Sequence, residues 1–154
     1  MDVMSSTIRE LLVKAEQAYG AQDAFRYKVK TEDGEGGKKV AVAGKTYTEL
    51  KEDSERFAAA LAQLGEIKSH IALLGATSYE WIVSYMGIAN SGSVAVPLDA
   101  QLPAEALCEL LDRADVTALV FDEGKAQVAE MAQQACPKLK HLISMKEESK
   151  VEGA

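Results

Sequence analysis

The sequence predicts an α/β fold: a three-layer core in which a mostly parallel sheet has helices on both faces, preceded by an N-terminal helix and a β-hairpin. Three observations lead to this class. Short runs of continuous apolar residues are typical of strands buried on both sides. These runs alternate with segments of helical periodicity. The connections between them are short, as in proteins built from repeated strand–helix–strand units.

The first segment is predicted to form an amphipathic helix. Apolar residues recur at helical spacing as far as Tyr19, and Gly20 ends the pattern. Either Ser5 or Ser6 can cap the N-terminus, because a serine hydroxyl accepts from the unpaired N–H groups of a first turn. One face of this helix is therefore expected to pack against the rest of the chain.

A β-hairpin is predicted next. Phe25, Tyr27 and Val29 alternate with polar residues, and residues 39–43 form the returning strand. The Gly-rich stretch over residues 31–37 lies between them and is expected to be a turn. It joins two strands and not a strand and a helix, so it does not match a dinucleotide-binding fingerprint.

Strands and helices are then predicted to alternate along the chain as far as residue 144. Thr46 and Glu49 have the capping-box spacing and open a helix that Gly65 ends. Thr77 and Glu80 have the same spacing and open a second helix. The further predicted elements are strands over residues 70–74, 92–96, 118–121 and 141–144, a helix that continues to about Ser91, a helix with Pro103 at its first position, and a helix over residues 125–135.

The helix over residues 79–91 is apolar on nearly every side. A narrow, less apolar stripe is formed by Glu80, Ser84, Gly87 and Ser91, whose small members suit close packing. A helix that is apolar all round must be covered on most sides. Part of this cover is expected to come from protein outside this chain.

Composition and charge exclude several classes of function. Hydrophobic residues make up 47% and charged residues 27%, as in globular proteins and unlike disordered ones. The net charge of -7, without a basic block, argues against nucleic acid or an anionic membrane as partner. Residues 81–98 have no charge, but residues 90–93 and Pro97 interrupt them, which indicates a buried helix and strand, not a membrane span. No signal peptide is visible.

Gly44, Lys45 and Thr46 stand between a predicted strand and a predicted helix, as in a phosphate-binding loop. Such a loop needs a glycine five residues before the second one, and Lys39 occupies that position. The intervening Val-Ala-Val-Ala is typical of an extended strand. The stretch is therefore predicted to be a turn followed by a helix cap.

The histidines and cysteines are predicted to be structural. His70 and His141 begin predicted parallel strands, whereas open α/β sheets collect their chemistry at the carboxyl ends. Cys108 lies among leucines on a helix face and is expected to be a small packed hydrophobe. Cys136 ends a helix before a proline. With no CxxC motif, the two cysteines indicate neither a disulfide framework nor a metal site, and they fit a reducing cytoplasm.

Three carboxylates follow strand ends, where a site would be. They are Asp99, Asp122 and Glu123. Acidic residues after a strand usually form turns or caps, and that role is predicted for them. No serine elbow, zinc-binding helix or paired catalytic carboxylates are recognised.

Six sequence motifs follow one another along the chain. They are Thr46-Tyr-Thr-Glu-Leu50, Phe57-Ala-Ala-Ala-Leu-Ala-Gln-Leu-Gly65, Ile71-Ala-Leu-Leu-Gly75, Tyr79-Glu-Trp-Ile-Val-Ser-Tyr85, Gly92-Ser-Val-Ala-Val-Pro-Leu-Asp99 and Leu102-Pro-Ala-Glu-Ala106. Over roughly residues 8–144 the chain resembles the N-terminal region of AMP-forming acyl-CoA synthetases, especially the long-chain fatty acid–CoA ligases of the adenylate-forming superfamily. Thr77 stands where that family commonly has Asn, and both residues cap helices well.

The resemblance implies a division of labour. Full-length relatives activate a fatty acid with ATP and Mg to an acyl-adenylate and pass the acyl group to CoA. Their phosphate loop, adenine-binding motifs and adenylation lysine would lie beyond Ala154, so no catalytic, cofactor-binding or metal residue is assigned to this chain. Residues 1–145 would be the N-terminal subdomain, inactive alone, and residues 146–154 a charged tail or cut linker. The implied partner is the remainder of the parent enzyme, and exposed apolar surface would favour homo-oligomers.

Two alternatives remain. The chain could be a self-sufficient module that binds a small ligand or a partner, with the loops over residues 75–78, 97–101 and 122–124 forming the crevice. It could also be an ATPase acting through Lys45, which the loop spacing disfavours.

Overall fold

A computed structural model describes residues 7–32, 38–146, 149, 151 and 154. It has two compact units, Met1–Asp53 and Ser54–Ala154, and their boundary falls inside one helix. The helices are α1 (Ile8–Tyr19), α2 (Tyr47–Gln63), α3 (Tyr79–Asn90), α4 (Ala104–Arg113) and α5 (Ala126–Ala135). The strands are β1 (Asp23–Glu32), β2 (Lys38–Thr46), β3 (His70–Leu74), β4 (Val94–Pro97), β5 (Val116–Phe121) and β6 (His141–Ser144), and a short 3-10 helix covers Glu123–Lys125.

The first unit begins with α1, whose bounds agree with the predicted helix. Its N-cap is Thr7, where Ser5 or Ser6 was predicted; those two serines lie outside the described residues. The Thr7 hydroxyl accepts from the Glu10 N–H at 3.1 Å. A β-branched threonine caps a helix nearly as well as serine, so composition alone did not decide among the three hydroxyls.

The predicted hairpin is confirmed and is longer than expected. β1 and β2 pair antiparallel, with Tyr27 opposite Ala43 and Asp23 opposite Thr46. The ladder thus continues through polar residues that the apolar alternation did not include. Of the predicted turn over residues 31–37, the first two residues still belong to β1, and residues 33–37 lie outside the described part of the chain.

The predicted capping box at the start of α2 is confirmed. The Glu49 N–H donates to the Thr46 hydroxyl at 3.2 Å, and the Thr46 N–H donates to the Glu49 carboxylate at 2.8 Å. Each side chain therefore satisfies a backbone donor of the other residue. At the other end of α2, Gly65 has the predicted role: its φ of 80° is a left-handed conformation that favours glycine.

The second unit contains the parallel sheet, in the strand order β4-β3-β5-β6. Alternate residues of β3 and β5 face opposite sides, so each face has its own apolar cluster, and the predicted three layers are confirmed. One cluster joins the sheet to α4 and α5: Ala72, Leu74, Leu107, Leu111, Leu119, Phe121, Ala129 and Ala132. The other joins it to α3 and the part of α2 in this unit: Leu61, Ile71, Leu73, Ile88, Ala118 and Val120.

The small-residue stripe of α3 packs as predicted. A Cβ added to Gly87 would lie 2.7 Å from the Phe57 ring and 3.0 Å from the Ser54 carbonyl oxygen, both in α2. Ser84 on the same stripe is also buried. The absence of a side chain at Gly87 thus sets how closely the two helices approach.

Two predicted helix starts were wrong by a residue. The N-cap of α3 is Ser78, whose hydroxyl accepts from the Trp81 N–H at 3.1 Å, and not Thr77. Pro103 precedes α4 as its N-cap instead of occupying the first helical position. Helix ends read from local sequence rules are commonly displaced by one or two residues.

Most of the predicted tail over residues 146–154 lies outside the described residues. Val151, which is described, is buried at 4% exposure in the cluster with α4 and α5. Among the described residues, no helix combines the length and apolar character needed to cross a bilayer.

Candidate functional site

The carboxyl edge of the parallel sheet holds a cavity of about 270 Å³. β3, β5 and β6 run in the same direction, so the loops after Leu74, Phe121 and Ser144 meet at this edge. The cavity is lined by Ala76, Ser78, Glu80, Asp122, Glu123, Gly124, Met145 and Lys146. Two of the three predicted loops, residues 75–78 and 122–124, therefore form its wall, and the loop over residues 97–101 does not.

Asp122 joins two of these loops. Its carboxylate accepts the Ala76 N–H at 2.6 Å, across 46 positions of sequence. The close approach requires Gly75, because a Cβ added there would lie 2.5 Å from the Asp122 carboxylate oxygen. Both groups contribute to loop structure, so the predicted structural role of Asp122 is confirmed.

The other two predicted carboxylates also have internal partners. Asp99 accepts the Gln101 N–H at 2.9 Å, which forms the predicted turn. Glu123 accepts the Ser144 hydroxyl at 2.8 Å and so connects the end of β5 to the end of β6. Lys125 donates to the Ala100 carbonyl at 2.6 Å and fixes the loop after β4.

The electrostatic character of the cavity follows from these side chains. Three carboxylates, Glu80, Asp122 and Glu123, stand at its wall with one cation, Lys146. This acidic wall disfavours a phosphate or carboxylate ligand on charge grounds. Within the described ranges, no group of three or more histidine, cysteine, aspartate or glutamate side chains is arranged to hold a metal ion.

Gly44, Lys45 and Thr46, which were compared above with a phosphate-binding loop, are the last three residues of β2. Lys45 pairs with Phe25 in the antiparallel ladder, and α2 begins at Tyr47 without an intervening turn. The predicted turn was therefore wrong, and the predicted helix cap is right. An extended ladder holds its backbone N–H groups in sheet hydrogen bonds or away from a common centre, unlike a phosphate cradle.

The Lys45 side chain interacts with Glu49. Its ammonium lies 3.0 Å from the Glu49 carboxylate, and this hydrogen bond raises the pKa of Lys45 despite partial burial. The Thr46 backbone N–H, the Lys45 ammonium and the Thr46 hydroxyl lower the pKa of Glu49 to about 2. This part of the chain is thus an ionised helix cap.

Both histidines stand at the amino ends of strands, as predicted. The His70 Nδ1 lies 2.6 Å from the Ala114 carbonyl oxygen, so it donates when it bears the proton. The His141 Nε2 lies 3.6 Å from the Glu66 carboxylate. Each ring thus contacts a group at the edge of the sheet opposite to the cavity.

Sequence reasoning did not single out Glu66. This carboxylate is only 3% exposed, and it accepts the Thr117 hydroxyl at 2.6 Å. Its backbone carbonyl accepts the Ser93 hydroxyl at 3.1 Å. A buried charge needs partners, and all of these come from distant positions that no local pattern connects to Glu66.

The two cysteines are free and come together in the second unit. Cys136 is buried, as a packed hydrophobe would be, and Cys108 is half-buried. The Cys136 thiol lies 3.6 Å from the Cys108 carbonyl oxygen. They are 28 positions apart in sequence, and no local motif connects them.

Comparison with known proteins decides the family. The model of the family "AMP-binding enzyme" matches residues 30–153, which is most of the chain. The chain belongs to the AMP-binding enzyme family. The predicted resemblance to adenylate-forming enzymes is thereby confirmed, and the fold described above is the one expected for the N-terminal region of such an enzyme.

Two curated relatives have names that indicate different substrates for those proteins. One is the 3-[(3aS,4S,7aS)-7a-methyl-1,5-dioxo-octahydro-1H-inden-4-yl]propanoyl:CoA ligase of Rhodococcus jostii (strain RHA1), 34% identical over 76 residues. The other is the D-alanine--D-alanyl carrier protein ligase of Streptococcus pneumoniae (strain 70585), 30% identical over 76 residues. Each alignment covers 49% of this chain and 15% of the relative.

Solved structures share the fold over nearly all of this chain. The adenylation domain of a carboxylate reductase from Mycobacterium chelonae has a TM-score of 0.80 at 22% identity, covering 95% of this chain and 24% of that one. The fatty acyl CoA synthetase of Mycobacterium tuberculosis has a TM-score of 0.70 at 21% identity, covering 90% and 26%. The chain thus spans about a quarter of the length of these structures.

Proposed function

We propose that this chain is the N-terminal subdomain, residues 1–145, of a long-chain fatty acid–CoA ligase. In this proposal the whole enzyme activates a fatty acid with ATP and Mg to an acyl-adenylate, releases pyrophosphate and transfers the acyl group to CoA. The chain alone is inactive and supports the part of the enzyme that holds the substrates.

Two facts together support the proposal most. The family model matches most of the chain, and the chain spans only a small share of each relative's length. The match covers residues 30–153, yet the aligned relatives are several times longer. A unit with two apolar clusters and a satisfied buried carboxylate is suited to a scaffold.

The described residues do not fit Mg-ATP. The acidic side chains at the carboxyl edge already accept hydrogen bonds from loop groups, and Lys45 pairs with Glu49 at the start of a helix. An acidic wall with one lysine is also unsuited to a triphosphate. We therefore assign the nucleotide chemistry to the rest of the proposed enzyme and derive no step from this chain.

The acid substrate is the finer part of the proposal. The six motifs resemble long-chain fatty acid–CoA ligases most, and a fatty acyl CoA synthetase shares the fold. D-alanine is the competing acid because a D-alanine ligase also aligns. The two acids differ so much in size and polarity that one assay separates them.

A substrate panel tests this proposal. The reading frame that encodes this chain would be expressed in full and assayed for pyrophosphate release with ATP, Mg and either palmitate, D-alanine or benzoate, followed by CoA. We expect palmitate to be activated at least tenfold faster than the others, and palmitoyl-CoA to form. Preference for D-alanine would overturn the fatty acid assignment, and the lack of any acid-dependent pyrophosphate would overturn the family activity.

A second candidate function has one observation in its favour. The cavity at the carboxyl edge, about 270 Å³ in volume, is close to the size of small-ligand pockets. In this alternative the chain is a self-sufficient small-ligand-binding or interaction module. Its acidic wall favours a cationic or neutral polar ligand over a nucleotide.

Calorimetric titration of the chain separates the two candidates. Mg-ATP and a palmitoyl-adenylate analogue would be titrated separately into the 154-residue chain. The subdomain proposal predicts no saturable heat with either ligand. Saturable binding of either ligand to the chain alone would instead favour the self-sufficient module.

We also propose a cytoplasmic location. Both cysteines are unpaired, as is usual where glutathione keeps thiols reduced. Fractionation of cells that produce the untagged protein tests this, and recovery with the membrane pellet after a salt wash would contradict it.

A further inference from the structure

Cys108 and Cys136 form a close pair of thiols on one side of the sheet. Cys108 lies in α4, and Cys136 follows the last residue of α5. The Cys136 thiol donates to the Cys108 carbonyl oxygen at a sulfur–oxygen distance of 3.6 Å. Its sulfur therefore lies beside the main chain of Cys108.

The two thiols differ in access. Cys108 is half-buried and can be reached from solvent, whereas Cys136 is 3% exposed. Cys136 joins the apolar cluster of α4 and α5, and Cys108 packs against that cluster from outside. A reagent in solution therefore reaches the Cys108 thiol more easily than the buried Cys136 thiol.

We propose that Cys108 and Cys136 are an oxidisable dithiol that hydrogen peroxide or an organic hydroperoxide closes into an intramolecular disulfide between α4 and the end of α5. The contact of 3.6 Å between the Cys136 sulfur and the Cys108 carbonyl oxygen brings the two residues together, and the disulfide forms when their sulfurs approach to about 2.05 Å. This site goes beyond the proposed ligase function and does not depend on it.

Oxidation of the two thiols to the disulfide takes two steps. The Cys108 thiolate attacks one oxygen of hydrogen peroxide, the O–O bond breaks, and hydroxide leaves and takes up the thiol proton as water, giving a sulfenic acid. The Cys136 sulfur then attacks the Cys108 sulfur; the S–S bond forms, the S–O bond breaks, and a second water leaves with the Cys136 proton. Two thiols and one peroxide give one disulfide and two waters, with two electrons passing from sulfur to oxygen.

The surroundings make this oxidation slow at neutral pH. Burial raises the pKa of Cys108, the charge of Glu105 raises it further, and the neighbouring Cys136 side chain offsets part of this. Burial and nearby Asp112 also raise the pKa of Cys136. Because the thiolate is the nucleophile, the rate of disulfide formation should increase as the pH rises toward the pKa values of these thiols.

Disulfide formation would constrain the second unit. The disulfide closes a loop that spans 28 positions, joining two helices that cover the same face of the sheet. Cross-linking a loop of this size limits the unfolded chain, so the oxidised protein should melt about 10 °C higher than the reduced protein.

The test is treatment of the reduced chain with one equivalent of hydrogen peroxide at pH 8, followed by intact mass, thiol titration in denaturant and a nonreducing tryptic map. We expect both thiols to disappear, the mass to fall by that of two hydrogens, and peptides 69–113 and 126–138 to be found joined until dithiothreitol is added. Thermal melts before and after treatment report the stabilisation.

Two variants serve as matched controls. In Cys136→Ala, peroxide should leave a Cys108 sulfenic acid that dimedone traps; in Cys108→Ala, the buried Cys136 should react more slowly than Cys108 does. Neither variant should gain thermal stability on oxidation. In the unmodified chain, phenylarsine oxide, which bridges two neighbouring thiols, should add once per molecule and block disulfide formation.

The proposal would be overturned by a stable sulfenic or sulfinic acid at Cys108 beside an unreacted Cys136 in the unmodified chain. Disulfide-linked dimers as the main product in dilute solution would overturn it equally. Both results are read from the unmodified protein, so they do not depend on how well the variants fold.

Discussion

At the scale of single residues, the Glu49 cap gives a prediction about pH. Its pKa is about 2 in the folded chain and ordinarily 4.5, so its ionised form stabilises the fold above pH 4.5. That contribution is lost as the pH falls from about 4.5 to about 2. Glu49→Gln should therefore be less stable than the unmodified chain at pH 7, and the difference in melting temperature should vanish near pH 2.

Thermal melts at several pH values between 7 and 2 measure this difference. Glu52→Gln removes the same charge from an exposed position of α2 and is the control. Equal pH profiles for the two variants would show that the Thr46–Glu49 box does not matter for stability.

A second residue-scale prediction concerns two buried serines on helices. Ser54 is fully buried, and its hydroxyl has no hydrogen-bond partner among the described residues, whereas the Ser84 hydroxyl donates to the Glu80 carbonyl at 2.8 Å. Ser54→Ala should raise the free energy of unfolding by about 1 kcal/mol, because it removes an unsatisfied buried group and favours helix. Ser84→Ala, measured by urea unfolding alongside it, should gain less or lose stability. A loss for Ser54→Ala would indicate a hidden polar partner.

At the scale of secondary-structure elements, the contact between α2 and α3 depends on Gly87. Alanine favours helix, but its Cβ would meet the Phe57 ring and the Ser54 carbonyl. Gly87→Ala should therefore lower the free energy of unfolding by about 1–3 kcal/mol. Phe57→Leu removes the closer obstacle, so the double variant should lose less than the sum of the two single variants in urea unfolding. Strict additivity would place the strain elsewhere.

The same scale shows what could be predicted from sequence. The order of helices and parallel strands followed from apolar runs and periodicity, because burial in a two-sided sheet requires those patterns. Helix caps could be predicted only to within one residue: Thr77 and Ser78 are adjacent hydroxyls, and Ser78 is the cap. At the cavity, the sheet edge could be predicted from topology, but not the bond between Asp122 and the Ala76 N–H, since its partners are 46 positions apart.

At the scale of the whole molecule, exposed apolar residues predict self-association. Val94 lies on the outer strand β4 and is 50% exposed, which leaves an apolar strand edge open to pairing. The sedimentation coefficient of the chain should therefore rise with concentration in the micromolar range. Val94→Lys should reduce this rise, and Leu102→Lys, which adds the same charge in a loop, should not. A concentration-independent monomer would contradict the prediction.

Glu66 has a consequence for the evolution and opening of this fold. Its carbonyl accepts from Ser93, just before β4, while its carboxylate accepts from Thr117 in β5 and lies near His141 in β6. One residue thus connects the entry points of three strands that are far apart in sequence. Amide hydrogens at this edge should exchange more slowly than those at the opposite edge. Relatives with new specificities would accordingly vary their loops at the carboxyl edge, where each of the hydrogen bonds described above joins two segments.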